Sequence, residues 1–308
     1  MISVVICSYN RSESLKKTLQ SLREMLVPVG LSWEVIVADN NSTDNTREVV
    51  EDFARASGLN VRYAFEESQG LSHARNNGIK EAKGEIIAFT DDDATVDSYW
   101  IWHLKNTFDQ FDCVGVGGRI IPLWTCKKPS WLKENGPYQL MKAIVSFDLG
   151  EEPCETKTPL FGANMAFKKM MFKKYGLFRI DIGANAAEAT AATGEDTEFC
   201  RRLINSGEKL IYTPKAIVYH PVEKQRTKKR YFQLWYFRYG RSLIKMESIS
   251  KNAVCYFGVP RYFFRILLES FLKWFFTFNA QKRFYNKLHF YLIAGEIAES
   301  FCILKKGE

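Results

Sequence analysis

Glu85-Ile86-Ile87-Ala88-Phe89-Thr90 runs without a break into Asp91-Asp92-Asp93. A short apolar run bounded by Gly84 and by acids reads as a buried strand. Three adjacent carboxylates repel one another, so a cation or solvent has to hold them. A hard divalent ion, Mg²⁺ or Mn²⁺, takes one or two carboxylates together with phosphate oxygens. An isolated acidic triplet is more simply a solvated turn. Its place at the carboxyl end of a strand is what favours the ion.

Three comparable runs precede it. Ile2–Cys7, Glu34–Ala38 and Val61–Phe65 are β-rich, and the first two stop at Ser8-Tyr9-Asn10 and at Asp39-Asn40-Asn41. Helical periodicity fills the gaps. Ser12 is the expected N-cap for Leu15, Leu19, Leu22, Met25 and Leu26, and Thr43 or Asp44 for Val49, Val50 and Phe53. Leu71–Ala82 completes the set, ended by Gly84. Strands alternating with helices imply βαβ units and a mostly parallel α/β sheet flanked by helices. Ligands of such sheets lie beyond the carboxyl ends of the strands, where Asn10, Asp39 and Asp91–Asp93 fall.

The middle is less regular. Residues 114–121 and 164–167 read as strands, and the Gly- and Pro-containing segment 122–160 as a long excursion. Glu195–Asn205 reads as a helix, Leu210–Tyr212 and Ala216–Tyr219 as two short apolar segments, and about 227–248, 260–278 and 281–301 as helices.

Several residues here can carry chemistry. Glu195-Asp196 opens a helix, where acids complement the dipole or serve as a general base. His220 ends an apolar segment; a neutral imidazole suits Mn²⁺ and can share an ion with Asp93. Arg226, Lys228, Lys229 and Arg230 form a basic run, either a solvated helix face or contacts for a diphosphate. Gly70–Gly78, with Arg75, opens a helix whose free N–H groups can face an anion. No GxGxxG opens a helix after the first strand, and neither GxxxxGK[ST] nor GxSxG occurs. A Rossmann dehydrogenase, a P-loop NTPase and a serine hydrolase are therefore not expected.

In order along the chain, six pieces resemble the family 2 glycosyltransferases with a GT-A fold. They are Val4-Val5-Ile6-Cys7-Ser8-Tyr9-Asn10-Arg11, Val35–Asp44 with Asp39-Asn40-Asn41, Gly70–Gly78, Ile86–Asp93, Gly162–Phe167 and Gly194-Glu195-Asp196-Thr197-Glu198-Phe199. The resemblance covers about residues 1–230 and implies inverting transfer of a sugar from a nucleotide-sugar to an acceptor hydroxyl. It implies that Ser8, Tyr9, Asn10, Arg11, Asp39 and Asn41 line the nucleotide, with Arg75 near the base or phosphates. Asp91 and Asp93 correspond to the ends of the DxD motif, with Asp92 between them and Asp93 the direct metal ligand. Asp196 corresponds to the catalytic base, with Glu195 beside it. Asn164 lies in the piece resembling the wall where donor sugar and acceptor meet. His220 takes the place of a metal-contacting His, and Arg226 that of a diphosphate contact. A UDP-sugar is the expected donor, with GDP and dTDP as alternatives.

Charge divides the chain. Residues 215–308 hold 18 Lys+Arg and 6 Asp+Glu, net +12, whereas residues 1–214 hold 25 and 29, net −4. The expected division is a catalytic domain over 1–225 and a basic, aromatic helical extension over 226–308. Residues 261–276 are apolar but interrupted by charge, which suits a helix lying in a membrane interface rather than crossing it. The alternative is a cap on the catalytic domain or a dimer contact. Seven widely spaced cysteines without a CxxC fit free thiols, and the N-terminus lacks a basic n-region, so neither a disulfide framework nor a signal peptide is expected. The expected setting is cytoplasmic, peripheral on the inner membrane face, with a glycan or lipid-linked acceptor and no nucleic acid partner. Two other functions compete. A nucleotidyltransferase would want a Gly/Arg/Lys-rich loop after the first strand, where Ser8-Tyr9-Asn10-Arg11 has one cation and no Gly. A basic nucleic-acid-binding module is suggested by Lys and Arg interleaved with aromatics at 224–241, without a recognisable motif.

Overall fold

A computed structural model describes residues 1–134, 136–185, 192–247 and 254–307. The chain forms two compact units. The first comprises Met1–Leu123, Val145–Ile180 and Glu195–Pro221; the second comprises Trp124–Ile144, Asp181–Gly194 and Val222–Glu308.

The first unit opens with β1 (Ile2–Ser8), α1 (Ser12–Arg23), β2 (Trp33–Asp39), α2 (Thr46–Ser57), β3 (Val61–Phe65), α3 (Leu71–Glu81) and β4 (Ile86–Asp91). It continues through β5 (Thr95–Val96), α4 (Trp100–Gln110), β6 (Gly115–Trp124), β7 (Cys154–Glu155), β8 (Met165–Lys168), α5 (Met170–Tyr175), α6 (Glu195–Asn205) and β9 (Leu210–Val222). The sheet order is β3-β2-β1-β4-β8-β6-β9-β5, with β7 also on β9. The pairings among β1 to β4 are parallel. Those of β8 with β4 and β6, and of β9 with β5 and β7, are antiparallel.

Both faces of the sheet are covered, which is why its central strands read as unbroken apolar runs. Ile2, Val4 and Ile6 pack on one face with Leu15, Leu19 and Leu22 of α1 and Trp100 and Leu104 of α4. Val5 points the other way, with Ile36, Ile79, Phe89 and Phe167. The two-residue period of the strand separates them. Register then fixes the site's floor: Ser8 lies opposite Asp39, and Cys7 opposite Ala38 and Asp91.

Four local expectations are corrected. Ser12 is not the N-cap of α1; Arg11 holds that position, and Asp44 accepts the Ser12 N–H at 2.9 Å from another loop. The two short segments after residue 209 are one strand, β9. Pro214 falls between its pairings with β7 (Ile211, Tyr212) and β5 (Val218, Tyr219), so its missing N–H breaks neither ladder. Helices α4 and α5 were not foreseen, although Trp100, Ile101, Leu104, Thr107 and Phe108 have helical spacing and all are buried. Residue 164 ends a 3₁₀ turn rather than beginning β8.

The second unit is mainly helical: α7 (Lys229–Met246), the hairpin β10 (Cys255–Tyr256) and β11 (Val259–Pro260), α8 (Arg261–Phe275) and α9 (Ala280–Gly307). Trp131 stands edge-on to both Phe232 and Phe284 at 5.2 Å. Helices α7 and α9 cross backbone to backbone. A Cβ on Gly240 would sit 2.0 Å from the Leu292 carbonyl oxygen, and one on Gly295 2.0 Å from that of Phe237. Beside the crossing, Arg241 Nε donates to Glu299 at 2.6 Å, with both side chains largely buried. No described helix is long and apolar enough to cross a membrane.

Candidate active site

The acids after β4 are not equivalent. Asp92 turns inward, 6% exposed, accepts the Ser8 hydroxyl at 2.8 Å and pairs with Arg11 at 3.3 Å. Burial pushes its carboxyl up to about 7 against the pull of Arg11. Asp91 and Asp93 turn the other way, to His220, whose Nε2 lies 3.5 Å from Asp91 Oδ2 and 3.4 Å from Asp93 Oδ1. Arg11 also reaches Asp93, at 2.8 Å. One guanidinium thus offsets part of the repulsion among the carboxylates.

His220 is buried, and its Nδ1 lies 3.1 Å from the Pro221 carbonyl oxygen. A carbonyl only accepts, so this contact assigns a proton to Nδ1 and turns Nε2 toward the two acids. Ligand atoms of Asp91, Asp93 and His220 all lie within 4.8 Å of one another. Two carboxylate oxygens and an imidazole with its second nitrogen tied to a carbonyl suit Mn²⁺ or Mg²⁺, with positions left for phosphate oxygens.

The loops after β1 and β2 are cross-braced beside this group. Asn10 and Asn41 adopt left-handed backbone, φ 52° and 64°, a region Asn tolerates better than most residues. Asn10 Oδ1 accepts the Thr43 N–H at 2.7 Å, and the Ser42 hydroxyl oxygen accepts the Asn10 N–H at 2.9 Å. Asp39 is buried and accepts from the Ser42 N–H at 3.0 Å and the Tyr63 hydroxyl at 2.7 Å. Burial and that carboxylate together raise the Tyr63 pKa. Tyr9 is half-buried, and Asn10, Arg11 and Asn41 are exposed along the same rim.

Two residues in this region escaped the sequence reading. Asn40 accepts the Gly70 N–H at 2.7 Å and donates to the Ser68 carbonyl at 2.6 Å, tying the end of β2 to the start of α3. Tyr63 holds Asp39 from β3. The Asp39-Asn40-Asn41 run was the available signal for Asn40; nothing local singled out Tyr63.

A second cluster joins α3, α6 and the turn before β8. Arg75 is 4% exposed and pairs with Glu195, itself 3% exposed. Burial pulls the Arg75 pKa down, but Glu195, followed by Asp196, Cys7 and Asp91, more than offsets it. Gly162 makes the packing possible, since a Cβ there would lie 2.0 Å from the Arg75 guanidinium. The Gly162 N–H donates to Asp196 Oδ2 at 2.8 Å, and the Thr197 N–H to Oδ1 at 2.6 Å. Asp196 stays half-buried, whereas Glu195 is enclosed.

Asn164 and Arg226 complete the expected site residues. Asn164 is fully buried, and its amide is used within the fold. It donates to the carbonyls of Arg119 at 2.9 Å and Ala216 at 2.8 Å and accepts from Trp100 Nε1 at 2.8 Å. That role pins three elements together and leaves little capacity for a substrate contact. Arg226 belongs to the second unit, in a 3₁₀ turn over Lys224–Thr227.

This sheet, with acids and a histidine gathered at its carboxyl edge, has the GT-A architecture of nucleotide-diphospho-sugar transferases. The mannosyltransferase PcManGT from Pyrobaculum calidifontis, solved in complex with GDP-Man and Mn²⁺, superposes with a TM-score of 0.58 at 19% identity, covering 99% of this chain and 79% of that one. The glycosyl transferase family 2 model matches residues 3–186, and the chain belongs to that family. It is 30% identical over 257 residues to the glucosyl-dolichyl phosphate glucuronosyltransferase of Haloferax volcanii, covering 82% of this chain and 79% of the relative. It is 25% identical over 242 residues to the succinoglycan biosynthesis protein ExoM of Rhizobium meliloti, covering 78% and 73%.

Proposed function

We propose that this glycosyltransferase moves a sugar from a nucleoside diphosphate, UDP by preference, onto a hydroxyl of a lipid-linked or glycan acceptor, with inversion. The names of the two relatives support an acceptor of this class. One observation carries the reading: Asp91, Asp93 and His220 bring three ligand atoms within 4.8 Å of one another at the carboxyl edge of the sheet.

Asp91, Asp93 and His220 would hold the divalent ion. When bound, it supplies Lewis-acid stabilisation to the leaving diphosphate. Asp39, Ser8, Tyr9, Asn10, Arg11 and Asn41 line the nucleotide, and the Tyr63 and Ser42 bonds fix the orientation of Asp39. Asp92 positions Arg11 and Ser8 from below. Asp196 takes the proton of the acceptor hydroxyl during attack on the anomeric carbon, so no covalent enzyme intermediate is needed. Two backbone N–H groups aim its carboxylate. Glu195 and Arg75 form the buried brace behind it. Arg226 is a candidate diphosphate contact. The protein acts at the cytoplasmic face of a membrane.

The test is thermal stability with UDP, GDP and dTDP, each with and without Mn²⁺. A ligand at 100 times its Kd adds ~2.7 kcal/mol. A Mn²⁺-dependent rise with UDP, lost in Asp93→Ala, is expected; an unchanged rise in that variant rejects the metal assignment.

A further inference from the structure

The second unit presents an apolar surface that its own packing covers only in part; within it, Phe271 meets a ring of α9, Phe290. Helix α8 has two apolar stripes. Phe263, Ile266 and Leu267 lie on the inward one, within a core that includes Ile293 of α9. Phe264, Leu268, Phe271 and Phe275 follow at i, i+4, i+7 and i+11, one continuous face. They are 37%, 59%, 39% and 61% exposed. Leu272 adjoins them, and Phe276 and Phe278 extend the surface past the helix, the last 98% exposed.

The hairpin leading into α8 adds an independent observation. Phe257 occupies its turn with φ 50°, followed by Gly258 at φ 73°. Both positions are left-handed, where Asn or Gly is favoured in a two-residue turn. An aromatic side chain there is strained, yet Phe257 is 82% exposed and gains little burial in return. Tyr256 and Val254 beside it are also more than half exposed.

The charges around these residues are cationic. Arg261, Arg265 and Lys273 are exposed on α8, against the single acid Glu269, and Lys282 and Arg283 are exposed at the start of α9. Aromatic and leucine side chains bordered by Arg and Lys match a bilayer interface, where rings settle at headgroup depth and cations meet anionic lipid. A self-association seam would not call for that cationic border, since like charges would face each other.

We propose that the α8 outer stripe and the Phe257 hairpin tip form the lipid-contact surface, and that its partner is an anionic phospholipid bilayer. This rests on the membrane-associated reading above and not on the identity of the sugar. The test is flotation of the full chain with vesicles of phosphatidylcholine, with and without 30% phosphatidylglycerol, at two salt concentrations. The wild type should float with the anionic vesicles and be released by salt. A Phe264→Ser, Leu268→Ser, Phe275→Ser variant should bind at least tenfold more weakly. Phe257→Gly guards against a folding defect. It relieves the left-handed strain, so it should melt no lower than the wild type and still bind more weakly. A wild type that ignores both vesicle types overturns the membrane-associated reading itself. Variants that float as well as a floating wild type overturn only this surface. A dimer that the triple variant converts to a monomer, with no vesicle binding by either, overturns it in favour of self-association.

Discussion

The two units are built on opposite principles. The first buries charge at its functional edge and orders it with hydrogen bonds: Asp92, Asp39, Arg75, Glu195 and His220 are all at most 6% exposed. The second has many aromatic contacts, and several large apolar groups of α8 and its hairpin face outward. Buried charges are costly unless each is paired, so they specify geometry rather than add stability. Exposed apolar surface costs solvation and is kept where something is to be bound. The proposed chemistry therefore draws on the first unit, and the proposed lipid contact on the second.

The sharpest break would come at Asp196. Asp196→Asn should lower transfer by ~10³- to 10⁴-fold, about 4–5.5 kcal/mol in activation energy, with nucleotide affinity unchanged. Single-turnover assays beside nucleotide titration separate the two effects, and near-native turnover would remove Asp196 from the mechanism. Arg75→Met should cost ~4 kcal/mol of stability, because Glu195 would be left buried without its cation. Chemical denaturation measures this, and the double change with Glu195→Gln should recover part of the loss.

The second unit buries two acids among its described residues, Glu299, which pairs with Arg241, and Glu296. Burial, reinforced by Glu247, pushes Glu296 up to about 7 from an ordinary 4.5. Below pH 4.5 both folded and unfolded chains hold this proton, so there is no penalty. Between 4.5 and 7 the unfolded chain releases it first, and stability falls as pH rises. Glu296→Gln should therefore raise stability above pH 7 by up to ~3 kcal/mol and flatten that window in melts run against pH. Gly240→Ala should cost ~2 kcal/mol, since its methyl group meets a backbone carbonyl that cannot move aside easily. Nucleotide affinity should survive it; a loss would mean that the division of labour between the units fails. The smallest effect is at Tyr63. Tyr63→Phe removes one hydrogen bond to Asp39, worth ~1 kcal/mol, and should weaken nucleotide binding rather than turnover.

Much of the fold and several site residues were legible because strand period and turn chemistry are local. The first four strands end within a residue or so of where β-branched runs meet polar residues, and the acids at those ends coincide in space because parallel register aligns them. Less legible was anything set by a distant partner. Ser12 looked like a cap until Asp44 arrived from another loop to take its N–H. Asn164 has the motif of a substrate contact, but three remote groups take both of its donors and one acceptor position. The Ala186–Ala191 and 248–253 stretches, the latter overlapping the end of the expected 227–248 helix, lie outside the described residues.

By itself the sequence determined the α/β alternation, the order of the motifs and the sign of charge along the chain, since these depend on neighbouring residues. Tertiary structure alone decided which acid of each group does what. Asp92 differs from Asp91 and Asp93, and Glu195 from Asp196, by burial and by one partner from far along the chain. Adjacent carboxylates are chemically identical until packing gives each its own dielectric and its own cation.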